Sequence, residues 1–167
     1  AQGRIDGTSD VCLGSTMITM KHIAWSYLYS EEIYITVPLH HRLADWEQAT
    51  LKDIENEPFI TMKPSYSLRI LTNRVCALAN VHPKIIFEGD DTNTIASLVA
   101  SNLGVSLLPK IPGSDAIGIR QIHVSFPSCK REIGIAWNMT RPLSPAALRF
   151  HQFIVKRFAD KRSSTVR

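Results

Sequence analysis

The residues best placed to do chemistry are Phe59-Ile-Thr-Met-Lys-Pro-Ser-Tyr-Ser-Leu-Arg69, and the chemistry is the holding of an anion. The apolar run ending at Met62 reads as a strand, the polar residues after it as a loop, and a helix begins near Ser67. A helix start offers N–H groups without intrahelical partners, at the positive end of the helix dipole. The hydroxyls of Ser65, Tyr66 and Ser67 surround that start. Lys63 and Arg69 add positive charge, and the Arg69 guanidinium has the fork that grips a carboxylate through two parallel hydrogen bonds. Thr61 and Met62 close the strand and complete the candidate set. The plainer alternative is that strand-to-helix loops are generally polar and open their helices on a serine. A second candidate is Gly14-Ser15-Thr16, at the carboxyl end of a strand starting at Asp10, where the plain reading is a strand-end turn.

Other chemistries find little support. His40 and His41 are adjacent, and neighbours on an extended chain point to opposite sides, so they do not share a metal. His22, His82, His123 and His151 lack the spacing that zinc sites show. There is no Gly-x-Ser-x-Gly elbow and no Gly-x-Gly-x-x-Gly phosphate loop, so neither nucleophilic catalysis nor a nucleotide cofactor is expected. Asp90-Asp91 and Glu31-Glu32 are the adjacent acid pairs, and for the first helix capping is a simpler use than acid–base work. Cys12, Cys76 and Cys129 are far apart and form no C-x-x-C pair. An odd, sparse count fits a reducing cytoplasm better than a disulfide-built secreted domain. Cys12 and Cys76 lie in apolar patterns and are expected in the core.

These candidates need elements to position them. Strands are expected near 10–15, 32–38, 59–62, 84–88, 105–108, 118–124 and 131–137, and helices near 67–80, 92–103 and 145–159, with a shorter one near 50–54. The 67–80 helix carries Leu68, Leu71, Val75 and Leu78 on one stripe and ends before His82-Pro83, because the residue before a proline disfavours helix. The last helix opens on Ser144 as cap and Pro145 as first residue, with Ala147, Phe150, Ile154 and Phe158 as its apolar face. Between them, Asp90 to Pro109 specify a helix that turns into a strand. Asp90, Asp91 and Thr92 start it, Ile95, Leu98, Val99 and Leu103 line its stripe, and Gly104 is expected to end it in the left-handed conformation. Strands alternating with helices make an α/β protein with a mostly parallel, doubly wound sheet, whose ligands lie at the carboxyl ends of strands.

The wording of several segments adds to this. Residues 94–109 resemble the Thr-Ile-x-x-Leu-Val-Ala-x-x-x-Gly-Val-x-x-x-Pro segment of effector-binding domains in LysR-type transcriptional regulators. Glu31-Glu-Ile-Tyr-Ile-Thr-Val-Pro38 followed by His41-Arg-Leu-Ala44 is similar to that family's strand and its His-Pro-Leu-Ala signature, with Arg42 in place of proline. Leu51-Lys-Asp-Ile54 with Glu57-Pro-Phe-Ile60, Trp137 with Arg141 to Phe150, and Asp10 to Ser15 resemble further segments, all in family order from about residue 7 to 158.

The resemblance implies a two-lobed, periplasmic-binding-protein-like (type 2) fold. It implies that residues 1–31 and 139–167 are the remnant of an incomplete first lobe, and that 32–138 are the crossover strands and the second lobe. It implies a small-molecule effector in an inter-lobe cleft, contacted by the Lys63–Arg69 loop and by a hydroxyl near Gly14 and Ser15. It also implies a homodimer or tetramer, and contact with DNA only through a helix-turn-helix domain that this sequence does not contain.

Charge and composition are consistent with that expectation. The 167 residues are 44% hydrophobic and 20% charged, ordinary for a globular domain with a real core. The net charge of +4 belongs to the tail, where Lys156, Arg157, Lys161, Arg162 and Arg167 face Asp160 alone; the rest of the chain carries equal numbers of each sign. DNA binding needs clustered cations that displace phosphate counterions, and a basic tail is more simply a solvated terminus. No apolar stretch is long enough to span a membrane, and no secretory signal is present, so a cytoplasmic, non-enzymatic sensor is expected. The alternatives are a transporter's solute-binding protein, which shares the two-lobed architecture but is exported, and an enzyme on the same scaffold, which needs a catalytic constellation.

Overall fold

A computed structural model describes residues 9–15 and 21–164, with side chains described through Ala159. Thr16 and the cations Lys161, Arg162 and Arg167 lie outside the described side chains. The chain divides into two compact units, residues 1–31 with 131–167, and residues 32–130. None of the described helices is long and apolar enough to cross a membrane.

The first unit is built on β1 (Val11–Ser15), the opening part of β2 (Ile23–Pro38), β8 (Lys130–Asn138) and α3 (Pro145–Ser164). β8 pairs with β1 on one side, antiparallel with Val11 opposite Trp137 and Ser15 opposite Ile133, and with β2 on the other. Leu28, Ile135 and Ala136 are buried between these strands and their surroundings. Trp25 packs against Gly134, where a Cβ would come under 3.0 Å from the indole ring. Ser144 caps α3 as expected, its Oγ accepting from the Ala147 N–H at 3.3 Å. The expected apolar face of α3 is corrected at one position. Ala147 is buried, but Phe150 is 42% exposed, and His151 takes the inward place, edge-on to Trp137 at 4.4 Å. Phe158, further along the same face, stacks on Tyr29 at 5.1 Å.

The second unit is a sheet flanked by helices, formed by the end of β2 with β3 (Gln48–Ala49), β4 (Pro58–Met62), β5 (Lys84–Gly89), β6 (Ser106–Pro109) and β7 (Ile119–Val124). β5 pairs with β4 in parallel. The Ile60 N–H donates to Val105 and the Val105 N–H to Pro58, which lays β4 beside the start of β6, again in parallel. β2 is antiparallel to both β6 and β7, and β3 is parallel to β7. The strand order is therefore β5-β4-β6-β2-β7-β3, with β2 alone reversed. As the strand that enters the unit, β2 runs against strands returning from helices. The short β3 and the 3-10 turn Ser114–Ile117 carry no periodic signal and were not expected; the expected short helix near 50–54 is the 3-10 turn Leu51–Ile54.

Two helices cover this sheet, α1 (Ser67–Leu78) and α2 (Thr92–Ala100). Their stripes pack inward through Leu68, Val75 and Cys76, and through Ile95, Ala96 and Val99. The expected stripes ran one residue too far, for Leu78 and Leu103 are largely exposed.

The expected left-handed Gly104 is also corrected. Asn80 and Asn102 hold the left-handed positions, at φ 52° and 61°. The N–H of Val81 donates to Cys76 and that of Leu103 to Leu98, the Schellman closure with asparagine in the role usually given to glycine. Gly104 has a different reason to be glycine: a Cβ there would come under 3.0 Å from the Pro58 carbonyl oxygen.

The two ends of the second unit meet. The Ile33 N–H donates to Cys129 at 2.8 Å, and Lys130 Nζ lies 3.0 Å from Glu32.

Candidate functional site

β4 and β5 are parallel neighbours, so their carboxyl ends emerge side by side. The Lys63 N–H donates to the Gly89 carbonyl at 2.9 Å, which continues the ladder one step past Met62. The chain then turns, with the Tyr66 N–H on the Lys63 carbonyl at 3.1 Å, and enters α1. The residue at the cap position is Tyr66 rather than a serine, no side chain caps the helix, and its first turn holds no acid. The neighbouring start of α2 is sealed. Asp91 accepts from the N–H groups of Asn93 and Thr94 at 3.0 and 2.9 Å and from the Thr94 hydroxyl at 2.6 Å. Those bonds, the Thr94 hydroxyl foremost, hold the Asp91 carboxyl below the usual carboxylate range. Of two adjacent helix starts, one is closed by its own carboxylate and the other is open.

The candidate residues of this unit divide into three groups. Thr61 and Met62 are buried in the core, and Met62 takes part through its carbonyl alone. Lys63, Ser65, Tyr66 and Ser67 gather around the open start of α1, with Lys63 and Ser65 exposed and the other two half-buried. Arg69 turns away. Its side chain is only 12% exposed, with Nη1 donating to the Met62 carbonyl at 3.1 Å and to Glu88, and Nε donating to Asn73 at 2.9 Å. A guanidinium with these three partners knits α1 to the strand ends.

Lys63 is held more loosely. Its ammonium lies 2.5 Å from Asp90 Oδ2, and the Tyr66 hydroxyl donates to Oδ1 of the same carboxylate at 3.3 Å. The bond to Asp90 raises the Lys63 pKa. Gly14 and Ser15 belong to the first unit, at the end of β1 opposite Gly134 and Ile133.

The acids Glu88 and Asp90 are the site residues that sequence reasoning missed. The signal was present: consecutive parallel strands end side by side, so acids flanking Gly89 meet cations that follow Met62. A second cluster also went unread. β2 is reversed, so the beginning of its second-unit part lies at the carboxyl ends of β6 and β7. There the Tyr34 hydroxyl donates to Glu32 at 3.1 Å, Lys130 and His123 approach the same carboxylate, and Lys110 lies over the Tyr34 ring at 5.2 Å. The Lys130 and Tyr34 bonds hold the Glu32 carboxyl below its ordinary range. Among the described residues no group of three His, Cys, Asp or Glu side chains is placed to hold a metal ion.

Residues 2–159 match the family model described as LysR substrate binding domain. The HTH-type transcriptional regulator YybE of Bacillus subtilis, itself uncharacterized, is 42% identical over 154 residues, covering 92% of this chain and 53% of that protein. The transcriptional dual regulator GltC of the same organism is 32% identical over 149 residues, covering 88% and 50%. The chain thus spans about half the length of the curated relatives it matches. Among solved structures, the effector-binding domain of QuiR in complex with shikimate superposes with a TM-score of 0.85 at 24% identity, covering 90% of this chain and 72% of that one. The CcmR regulatory domain of Synechocystis PCC6803 in complex with 2-PG superposes at 0.84 with 14% identity, covering 92% and 76%. The fold is that of LysR effector-binding domains, periplasmic-binding-protein-like and of type 2.

Proposed function

Because this chain belongs to the LysR substrate-binding-domain family, we propose that it senses a small anionic metabolite for a LysR-type transcriptional regulator and uses the loop that opens α1. The observation that carries this reading is the unequal treatment of two adjacent helix starts. Asp91 closes α2, whereas α1 begins without a side-chain cap or an acid and has the Lys63 ammonium and Tyr66 hydroxyl beside it. An anion there meets the helix dipole and free N–H donors together. Lys63, Ser65, Tyr66 and Ser67 are its contacts, and the Thr61 and Met62 backbone and Arg69 hold the loop. Structural neighbours that bind shikimate and 2-PG support a small acid as effector.

In the whole protein the effector favours one conformation over another by differential affinity, and the bias reaches DNA through a helix-turn-helix domain. The relatives' designation as HTH-type regulators supports that role, a cytoplasmic location and the absence of catalysis. A homodimer is supported by the edge strand β5, which exposes Ile85, Ile86 and Phe87 in a row, with Ile70 and Leu78 exposed on the adjoining α1.

The test is thermal denaturation of this chain with shikimate, inorganic phosphate, a neutral sugar and an amine, on the wild type and on Lys63→Met. Stabilisation by an acid, lost in Lys63→Met, is the expected result. Stabilisation by the sugar or the amine with both anions inert overturns the anion reading.

A further inference from the structure

Asp90 does more in this loop than balance charge. Its two carboxylate oxygens engage two of the side-chain donors assigned to the effector, Lys63 Nζ at 2.5 Å and the Tyr66 hydroxyl at 3.3 Å. We propose that Asp90 is the selectivity residue of this anion site, an intramolecular competitor whose carboxylate an effector must displace from Lys63 and Tyr66 in order to bind. The inference rests on the reading of the α1 loop as the effector site.

Three features make the exchange physically reasonable. The pair is exposed, with Lys63 at 50% and Asp90 at 60%, and ion pairs in solvent are weak enough to trade partners. In the Arg69–Glu88 pair beside it the guanidinium is shielded and also tied to Met62 and Asn73, so it does not trade. Both neighbours of Asp90 are anchored, Gly89 through its carbonyl by the Lys63 N–H and Asp91 through its carboxylate by three bonds at the start of α2. The motion left to Asp90 is therefore rotation of its side chain. It cannot be absorbed by α2, whose start Asp91 has already filled.

The consequence is discrimination by charge and donor content. A simple monocarboxylate replaces Asp90 like for like and then repels it at close range, gaining little. A dianion such as a phosphate monoester outbids the single charge, and an acid with a neighbouring hydroxyl can give Asp90 a hydrogen bond while its own charge takes Lys63. The effectors favoured are phosphorylated or hydroxylated acids over plain ones.

The experiment is a titration with inorganic phosphate at constant ionic strength, so that screening does not change, followed through the backbone amide resonances of Ser67, Leu68 and Arg69. Wild type, Asp90→Asn, Asp90→Glu and the double variant Lys63→Met/Asp90→Asn are compared. Asp90→Asn is expected to bind phosphate about fivefold more tightly than wild type, the scale of an exposed ion pair. Asp90→Glu, which keeps the charge, is expected to return towards wild type, and the double variant to lose binding. Equal affinity in wild type and Asp90→Asn overturns the role of Asp90 and leaves the anion site standing. No response of these amides in either protein removes the anion site and the inference with it.

Discussion

Gly104 is packed against Pro58 so closely that one added carbon would collide with the Pro58 carbonyl, the same carbonyl that accepts the Val105 N–H at 2.8 Å. The contact fixes how β4 meets β6. Gly104→Ala is expected to lower stability by about 1–3 kcal/mol, the usual scale for overpacking against an unyielding neighbour. Asn102→Gly at the true left-handed position is expected to be near neutral, and Asn102→Ala to cost about 1–2 kcal/mol through its positive φ. Urea denaturation of the three variants measures this, and the reverse order would restore Gly104 as the helix terminator.

Arg69 holds a strand end, a helix and an acid together. Arg69→Met leaves Glu88 and the Met62 carbonyl without their donor and is expected to cost about 1–3 kcal/mol. Arg69→Lys is expected to recover little, because a single ammonium cannot reproduce the fork. If Arg69→Met instead left stability unchanged and abolished binding of an acid, Arg69 would be a direct ligand contact.

Much of this architecture was legible from the sequence, and the exceptions have physical reasons. α1 and α2 announce themselves by apolar stripes, caps and breakers, and both lie within a few residues of expectation. β2 was recognised only in its second half, because Ile33, Ile35 and Val37 alternate as a buried strand does, while Ile23 to Glu31 mix aromatic, hydroxyl and acidic residues. Gly104 and Asn102 were confused because a glycine after a helix has two possible causes, backbone conformation and lack of space, and only the fold tells them apart. The cationic side of the site was visible as Lys63 and Arg69. Its acidic side was not, because Glu88 and Asp90 reach those cations only through the pairing of β4 with β5.

Acid should weaken the second unit in a defined window. Asp91 is held below its ordinary range by the Thr94 hydroxyl and the N–H groups of Thr94 and Asn93, and Asp53 by the Thr50 hydroxyl and N–H. A carboxyl whose pKa is depressed on folding contributes stability that is complete above its unfolded value, near pH 3.9, and is lost as the pH falls through the folded one. The melting temperature is therefore expected to fall below about pH 4. Asp91→Asn, which can still cap, is expected to flatten part of that slope, whereas Asp91→Ala lowers the melting temperature by several degrees at neutral pH. Side-chain carbon-13 titration of Asp91 gives the midpoint directly.

The thiols should differ in reactivity. Burial pushes Cys76 up to about 11 and Cys129 up to about 12, so neither forms thiolate near neutral pH. Cys12, by contrast, is half-buried on β1. An aromatic disulfide reagent is expected to modify Cys12 alone in the native protein and all three thiols in denaturant. Rapid native modification of Cys76 or Cys129 would show that the second unit opens far more often than its core packing implies.

The meeting of Ile33 with Cys129 and of Glu32 with Lys130 bears on how the chain is assembled as it is made. Val11 must find Trp137 across most of the sequence, a closure that is entropically costly for an open chain. The second unit is one uninterrupted stretch, and all its strands leave the ribosome before most of β8 does. Once it has folded, its ends are already together, and β1 and β8 have only a short span left to close. The folded second unit thus shortens the loop that the pairing of β1 with β8 has to close.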